Sequence, residues 1–174
     1  MTHVKNQMSR AATLYGAGSW VSAVAVYEEV FKQAAVESRV DDLLEATRRI
    51  GYAYQWAGEI HLAIEYLELA CTLADLHNQG GSAARALNGL GTVYQNSGSI
   101  ELAARAYESA KVRARQAGDT LAAGDIEQNL GTLATIRGDH TAAITHFRAS
   151  RSYYTSINHE RGLAQVHNCE VWLR

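Results

Sequence analysis

The residues that could do chemistry come first. His61 and Glu65 stand four apart, so a helix would carry both on one edge, as two ligands of a metal or as a surface ion pair. A catalytic zinc needs three protein ligands, and no third lies near this pair in sequence. His167 and Cys169 are two apart, which turns them to different sides of a helix, and no third group is placed to orient them as a nucleophilic pair. Gly80-Gly81-Ser82 precedes a helix and has the look of a phosphate cradle. It lacks the Walker lysine and a preceding strand, and reads as a turn and cap. Lys111, Arg113 and Arg115 form a modest basic patch, but Glu101 and Glu108 lie close by, which makes a mixed solvated face the better reading. No nucleophile, base and orienter converge on one motif, so an enzyme is the least favoured class. Neither a metal nor a cofactor is expected.

What would position any of these residues is a helical scaffold. The chain has 174 residues, 47 % hydrophobic and 20 % charged, enough to bury a core. It contains no proline, the residue that breaks helices, and is rich in Ala, Leu, Glu, Gln and Arg. The net charge of -2 offers no basic excess for nucleic acid or an anionic membrane, so neither partner is expected. Charge interrupts every apolar run before it could span a bilayer, and the first residues lack the apolar run of a secretory signal. With two lone cysteines, Cys71 and Cys169, the expectation is a reducing, cytoplasmic setting.

The organisation lies in a 40-residue period. Gly18, Gly58, Gly98 and Gly138 recur at that spacing. Each is followed five residues later by an alanine (Ala23, Ala63, Ala103, Ala143) and preceded seven residues earlier by Ala11, Gly51, Gly91 or Gly131. Nine after each glycine comes Tyr27, Leu67, Tyr107 or Phe147. Each unit reads as helix A, a reversal at the glycine, and helix B. Ser19, Ser99 and Asp139 are placed to cap helix B, with Glu59 a weaker cap. The small residues sit where two helices approach closely, and the bulky residue fills the space against the next unit. Helix A is expected at about 2–16, 43–57, 82–97 and 122–137, and helix B at about 19–38, 59–77, 99–117 and 139–156. A last helix at about 160–173 would cap the stack, with Trp172 and Leu173 closing the core. Units of about 4–43, 44–83, 84–123 and 124–163 make one domain over the whole chain.

Leu90-Gly91-x-x-Tyr94, then Gly98, Ala103, Tyr107 and Ala110, resembles the tetratricopeptide repeat, and Ile50-Gly51-x-x-Tyr54 with Gly58, Ala63, Leu67 and Ala70 repeats it. The resemblance covers nearly the whole chain. It implies an all-α fold, a right-handed α-solenoid of four helix-turn-helix units plus a C-terminal capping helix. The units here are longer than the usual ~34 residues and lack the closing proline. In length they are similar to Leu-Gly-Asn repeat scaffolds and to the repeats of bacterial Rap-type regulators and large transcriptional activators. Tyr52, Thr92 and Thr132 stand where the Leu-Gly-Asn form has Asn, so that ligand mode does not carry over. No cochaperone carboxylate clamp is evident.

The resemblance also implies that helix A lines a concave groove. One row is then Arg48, Asn88, Gln128 and Asn168; a second is Tyr52, Thr92 and Thr132; a third is Gln55, Gln95 and Thr135. Amides and hydroxyls at this spacing suit the N–H and C=O groups of an extended peptide, though an ordinary polar face would look similar. Arg48 and Arg85 would pair with acidic groups of a partner, and Glu45 and Asp125 would do the reverse. Trp56, at the end of helix A, is either a partner anchor or a packing residue. The function expected is a scaffold or adaptor that binds a protein or peptide. The alternatives are a regulatory sensor for a small peptide or metabolite, and a self-assembling module that joins through its end faces.

Overall fold

Eight chain reversals build the molecule, and all eight share one geometry. In the computed structural model, which describes residues 2–171, the backbone takes a positive φ at Gly18, Ser38, Gly58, Asn78, Gly98, Gly118, Gly138 and Asn158, one every 20 residues. At each, the next residue's N–H donates to the carbonyl five residues back. Ser19 reaches Leu14, Arg39 reaches Ala34, Glu59 reaches Tyr54, and the series ends with His159 on Tyr154, at 2.8–3.0 Å throughout. This is the left-handed helix stop that satisfies the otherwise orphaned last carbonyls. Glycine supplies it at every helix-A end, where φ reaches 86° at Gly58. At the helix-B ends Asn78 and Asn158 tolerate it through their short polar side chains.

Between the stops lie α1 (Thr2–Gly16), α2 (Trp20–Val36), α3 (Val40–Ala57), α4 (Ile60–Leu76), α5 (Gly80–Asn96), α6 (Ile100–Gln116), α7 (Thr120–Ile136), α8 (His140–Ser156) and α9 (Glu160–Val171). They form a right-handed α-solenoid of four helix pairs and a terminal helix. Helix A of the second to fourth units begins two or three residues before the position expected, because the stop at Ser38, Asn78 or Gly118 restarts the helix at once. The capping expectation holds in part. Asp139 accepts from the Ala142 N–H at 2.9 Å, and Asp119 does the same for Ala122 at 3.1 Å. Ser19 and Ser99 make no such bond: their shorter side chains sit on a ψ near 60°, against 80° or more at the two aspartates.

Packing within a unit joins the helix-A small residue to the helix-B bulky one. A Cβ on Gly131 would meet the Phe147 ring at 2.6 Å, one on Gly51 would meet Leu67 at 2.7 Å, and one on Gly91 would strike the Tyr107 ring. The same bulky residues also face the following unit, as Tyr107 does against Ile126 and Leu130. At the C-terminal end Val166, Leu163 and Cys169 of α9 cover Phe147 and Tyr154. Trp172 and Leu173 lie outside the described residues. Among those residues, no helix is long and apolar enough to cross a membrane.

The junction between the third and fourth units departs from the apolar rule. Cys71, Leu87 and Ala106 belong to one apolar cluster at the preceding junction. Forty residues on, their counterparts are Lys111, Glu127 and His146. Glu127 is 3 % exposed and lies 3.2 Å from both Lys111 Nζ and Arg115 Nη2 and 2.7 Å from His146 Nδ1. Burial works against its charge, but the bond from His146 and the Lys111 ammonium outweigh it and hold its carboxyl below the usual range. A buried ion is retained only while such partners remain.

Glu127→Ala is therefore expected to lower the unfolding free energy by about 3–5 kcal/mol in urea titration, since Lys111, Arg115 and His146 lose their shared partner. Lys111→Cys, Glu127→Leu and His146→Ala together recreate the Cys71–Leu87–Ala106 trio and should recover most of that loss. The glutamate's folded value lies below its ordinary 4.5, so its contribution is present above that pH and is lost as pH falls through the folded value. The triple variant should accordingly lose less stability on acidification than the wild type.

Candidate functional site

The curvature of the stack decides which face is a groove. From α3 onward each helix A packs on helix A of the next unit, α3 on α5, α5 on α7 and α7 on α9, whereas no two helices B pack to a comparable extent. The A side is thus the tighter, concave side. Across it α3, α5 and α7 enclose a cavity of about 410 Å³, lined by Glu45, Arg48, Arg49, Tyr52, Arg85, Asn88, Leu121, Ala122 and Asp125. A second cavity of about 330 Å³ adjoins it, sharing Glu45, Arg48 and Arg85 and adding Asp41, Asp42 and Ser82.

Tyr52 is the centre of this arrangement. Its ring lies under the Arg48 guanidinium, 5.2 Å from the centroid, and its hydroxyl donates to the Arg85 carbonyl at 3.4 Å. It can lie flat on α5 because residue 89 is glycine; a Cβ there would come within 2.6 Å of the ring. Arg48 and Arg49 both pair with Glu45, Arg49 at 2.7 Å. Arg85 pairs with Asp119 at 2.8 Å, and Asp119 is itself fixed by its cap on α7.

Of the residues expected in the groove, Arg48, Tyr52, Arg85 and Asn88 line the cavity. Thr92, Gln95, Gln128 and Thr132 continue along the helix-A face beyond it. Thr92 and Thr132 hydroxyls donate to the carbonyls one turn back, Asn88 and Gln128, at 3.1 Å. Thr135 is exposed and donates to the Gly131 carbonyl at 2.9 Å; Gln55 is half-buried and Asn168 exposed. The Asn88 amide is tied to Asn129 of the next unit at 2.9 Å.

Phenols reach this face through the core, which the repeat pattern did not reveal. The Tyr107 hydroxyl lies 3.3 Å from both Thr92 Oγ1 and Gln95 Oε1. Its pKa is pushed up to about 12 by burial. Tyr154 passes over Gly124 and Gly162, donates to Asp125 at 2.7 Å and lies 3.3 Å from Gln128. The register gave a hint: Tyr154 stands where earlier units have Ala34, Ala74 and Ala114, and Gly124 where they have Leu44 and Ala84. Burial raises the Asp125 pKa, with the Tyr154 bond opposing. Arg49, Asn129 and Gly89 were also missed, because each lies off the expected rows.

The other candidates fall into structural roles. His61 and Glu65 form an exposed pair at 3.2 Å, and the Cys71 thiol is pushed up to about 12 by burial. The basic patch is only in part the mixed solvated face expected, since Arg113 and Arg115 stay exposed while Lys111 is largely buried. Lys111 and Arg115 serve buried Glu127, and Arg113 pairs with Asp75 of the preceding unit. Trp56, 57 % exposed, stacks on Trp20 with ring centroids 6.3 Å apart, away from the cavity.

With this geometry the chain has a helix-pair repeat fold of the tetratricopeptide type. Its fold is similar to that of a Rap protein complexed with Competence and Sporulation Factor, with a TM-score of 0.76 at 15 % identity over 92 % of this chain and 45 % of that one. It is also similar to the Rap conjugation gene regulator of plasmid pLS20 in complex with the Phr* peptide, with a TM-score of 0.72 at 17 % identity over 86 % of this chain and 42 % of that one. The TPR-like repeats of a putative kinesin light chain from Podosopora anserina give a TM-score of 0.67 at 16 % identity over 98 % of this chain and 88 % of that one. In sequence, an alignment 97 positions long that covers 44 % of this chain and 24 % of the other protein is 30 % identical to the transcriptional activator NprA of Geobacillus stearothermophilus. The chain thus spans less than half the length of either Rap protein and about a quarter of the activator. No protein-family model matches it.

Asp125 carries a testable cost. Its folded pKa lies above its ordinary 3.8, so ionisation opposes folding as pH rises through the folded value. Asp125→Asn keeps an acceptor for Tyr154 and removes the charge. It is expected to raise stability at pH 7 by up to about 1 kcal/mol. Melting curves across pH should show that gain shrinking to nothing in acid.

Proposed function

We propose that this chain is a protein-interaction scaffold whose concave helix-A face binds a peptide or helix of a partner protein. The observation that carries this is the cavity across α3, α5 and α7, continued by Asn88, Thr92, Gln95 and Gln128 on the same face. Successive units present these groups at steps set by the stack, which suits an extended chain with repeating donors and acceptors. Two proteins of similar fold are known in complexes with a peptide or factor, which supports the same use of the fold here. Catalysis has no part in this reading.

A regulatory role is the second reading. Among the proteins it resembles are a transcriptional activator and a conjugation gene regulator, both longer than this chain. A groove that binds a peptide in one part of such a protein could bias the remainder. On its own the chain would act by holding its partner.

Asn88→Ala with Gln128→Ala is the test. Each loss is expected to weaken partner binding by about 1 kcal/mol and leave the helical content unchanged. A partner captured by the wild type and identified is titrated by calorimetry against both proteins. Unchanged affinity in the double variant would remove the concave face from the interaction.

A further inference from the structure

The cavity holds a surplus of donors. Arg48, Arg49 and Arg85 all line it. The carboxylates beside them are already engaged by internal donors. Glu45 accepts from Arg49 Nε with one oxygen and from Arg48 with the other. Asp119 holds Arg85 with Oδ2 and caps Ala122 with Oδ1. Asp125 accepts the Tyr154 phenol at 2.7 Å. A guanidinium carries five N–H donors in a planar fork, so one carboxylate orients each arginine without exhausting it. The side chains are also fixed before any ligand arrives: Arg48 lies on Tyr52, and Asp119 is anchored to its helix. The complement of such a cavity is an anion.

The surroundings narrow the kind of anion. Asp41 and Asp42 line the adjoining cavity, which shares Glu45, Arg48 and Arg85. An extended polyanion would meet this further like charge, whereas a single carboxylate would face only Glu45, already balanced by Arg48 and Arg49, and Asp125. On the other side the face continues through uncharged Asn88, Thr92 and Gln95, which suit a neutral backbone. Resting on the groove reading above, we propose that the Arg48–Arg49–Arg85 cavity receives an acidic side chain of an extended peptide, with the peptide backbone running on over Asn88 toward Gln128. The groove thus selects an Asp or Glu at one fixed position of its ligand.

A random heptapeptide library panned on the intact chain tests this. Wild type is expected to enrich peptides with Asp or Glu at one register. The best of these, measured by fluorescence anisotropy, should bind about tenfold or more weakly when its acid is changed to the amide, as expected for a charge-assisted pair. Arg85→Gln should weaken the acidic peptide to a similar degree and leave the amide peptide nearly unaffected, while Arg85→Lys retains part of the preference. Arg49→Gln serves as a second variant should the first melt early. Peptides enriched with no acidic preference would overturn this inference and keep the groove. Loss of binding on C-terminal amidation alone would also overturn it, by moving the carboxylate to the chain end. Competition by inorganic polyphosphate as effective as the peptide would overturn it in favour of a general anion site. No enriched peptide at all would overturn the groove reading with it.

Discussion

The left-handed stop that recurs every 20 residues is the constraint on which the molecule depends. Each stop ends one helix by closing a bond five residues back and starts the next two residues later. Helices α2 to α8 are consequently 17 or 18 residues long, about 25 Å each. Equal lengths keep every unit in phase with its neighbours, so one sequence register describes core, junction and groove alike. A change of one residue between stops would rotate a helix by roughly 100° and turn its core face to solvent.

Within that register the chain exchanges residue types in matched groups. The Gly–bulky pair inside the second to fourth units appears as Gly51 with Leu67, Gly91 with Tyr107 and Gly131 with Phe147, and the first unit has Ala11 with Tyr27. At the last unit a large residue, Tyr154, moves into an alanine position and a glycine, Gly124, appears beneath its ring. At the third junction an apolar trio gives way to Lys111, Glu127 and His146 together. Each exchange makes sense only as a set: Glu127 without its cations would be an unpaired buried charge, and Gly124 without Tyr154 a void. The ionic junction also ties α6, α7 and α8 by directional bonds.

Much of this was legible in the residues. Absence of proline and the spaced glycines indicate helices and their reversals, and the reversals at Gly18, Gly58, Gly98 and Gly138 have the positive φ expected of them. The half-period was harder to see, because Ser38, Asn78, Gly118 and Asn158 differ in type while sharing a backbone shape. Arg48, Tyr52, Arg85 and Asn88, which the resemblance assigned to the helix-A face, were readable as neighbours and line one cavity. Arg49, Asp119 and Tyr154 were not, and the reason is physical. Arg49 joins by sharing Glu45, Asp119 by pairing with Arg85 across a helix boundary, and Tyr154 by crossing the core from helix B. Such contacts depend on side-chain reach in three dimensions, which a one-dimensional period does not encode.

The phenols join the two halves of this account. Tyr107 and Tyr154 bury their rings against helix-A glycines and place their hydroxyls among groove residues. A ligand that drew Gln95, Gln128 or Asp125 toward itself would have to remake a bond to one of these phenols. Their rings are wedged in the core and have little freedom to follow, so the groove groups are held in position before a ligand arrives. Less ordering entropy is then lost on binding, and affinity depends more on how well the ligand matches a fixed pattern of charges and amides. The same rigidity sends any mismatch into the packing of α5 on α6 and of α7 on α8, where the two tyrosines sit. Tyr107 and Tyr154 thereby join the side chains of the helix-A face to the packing within the third and fourth units.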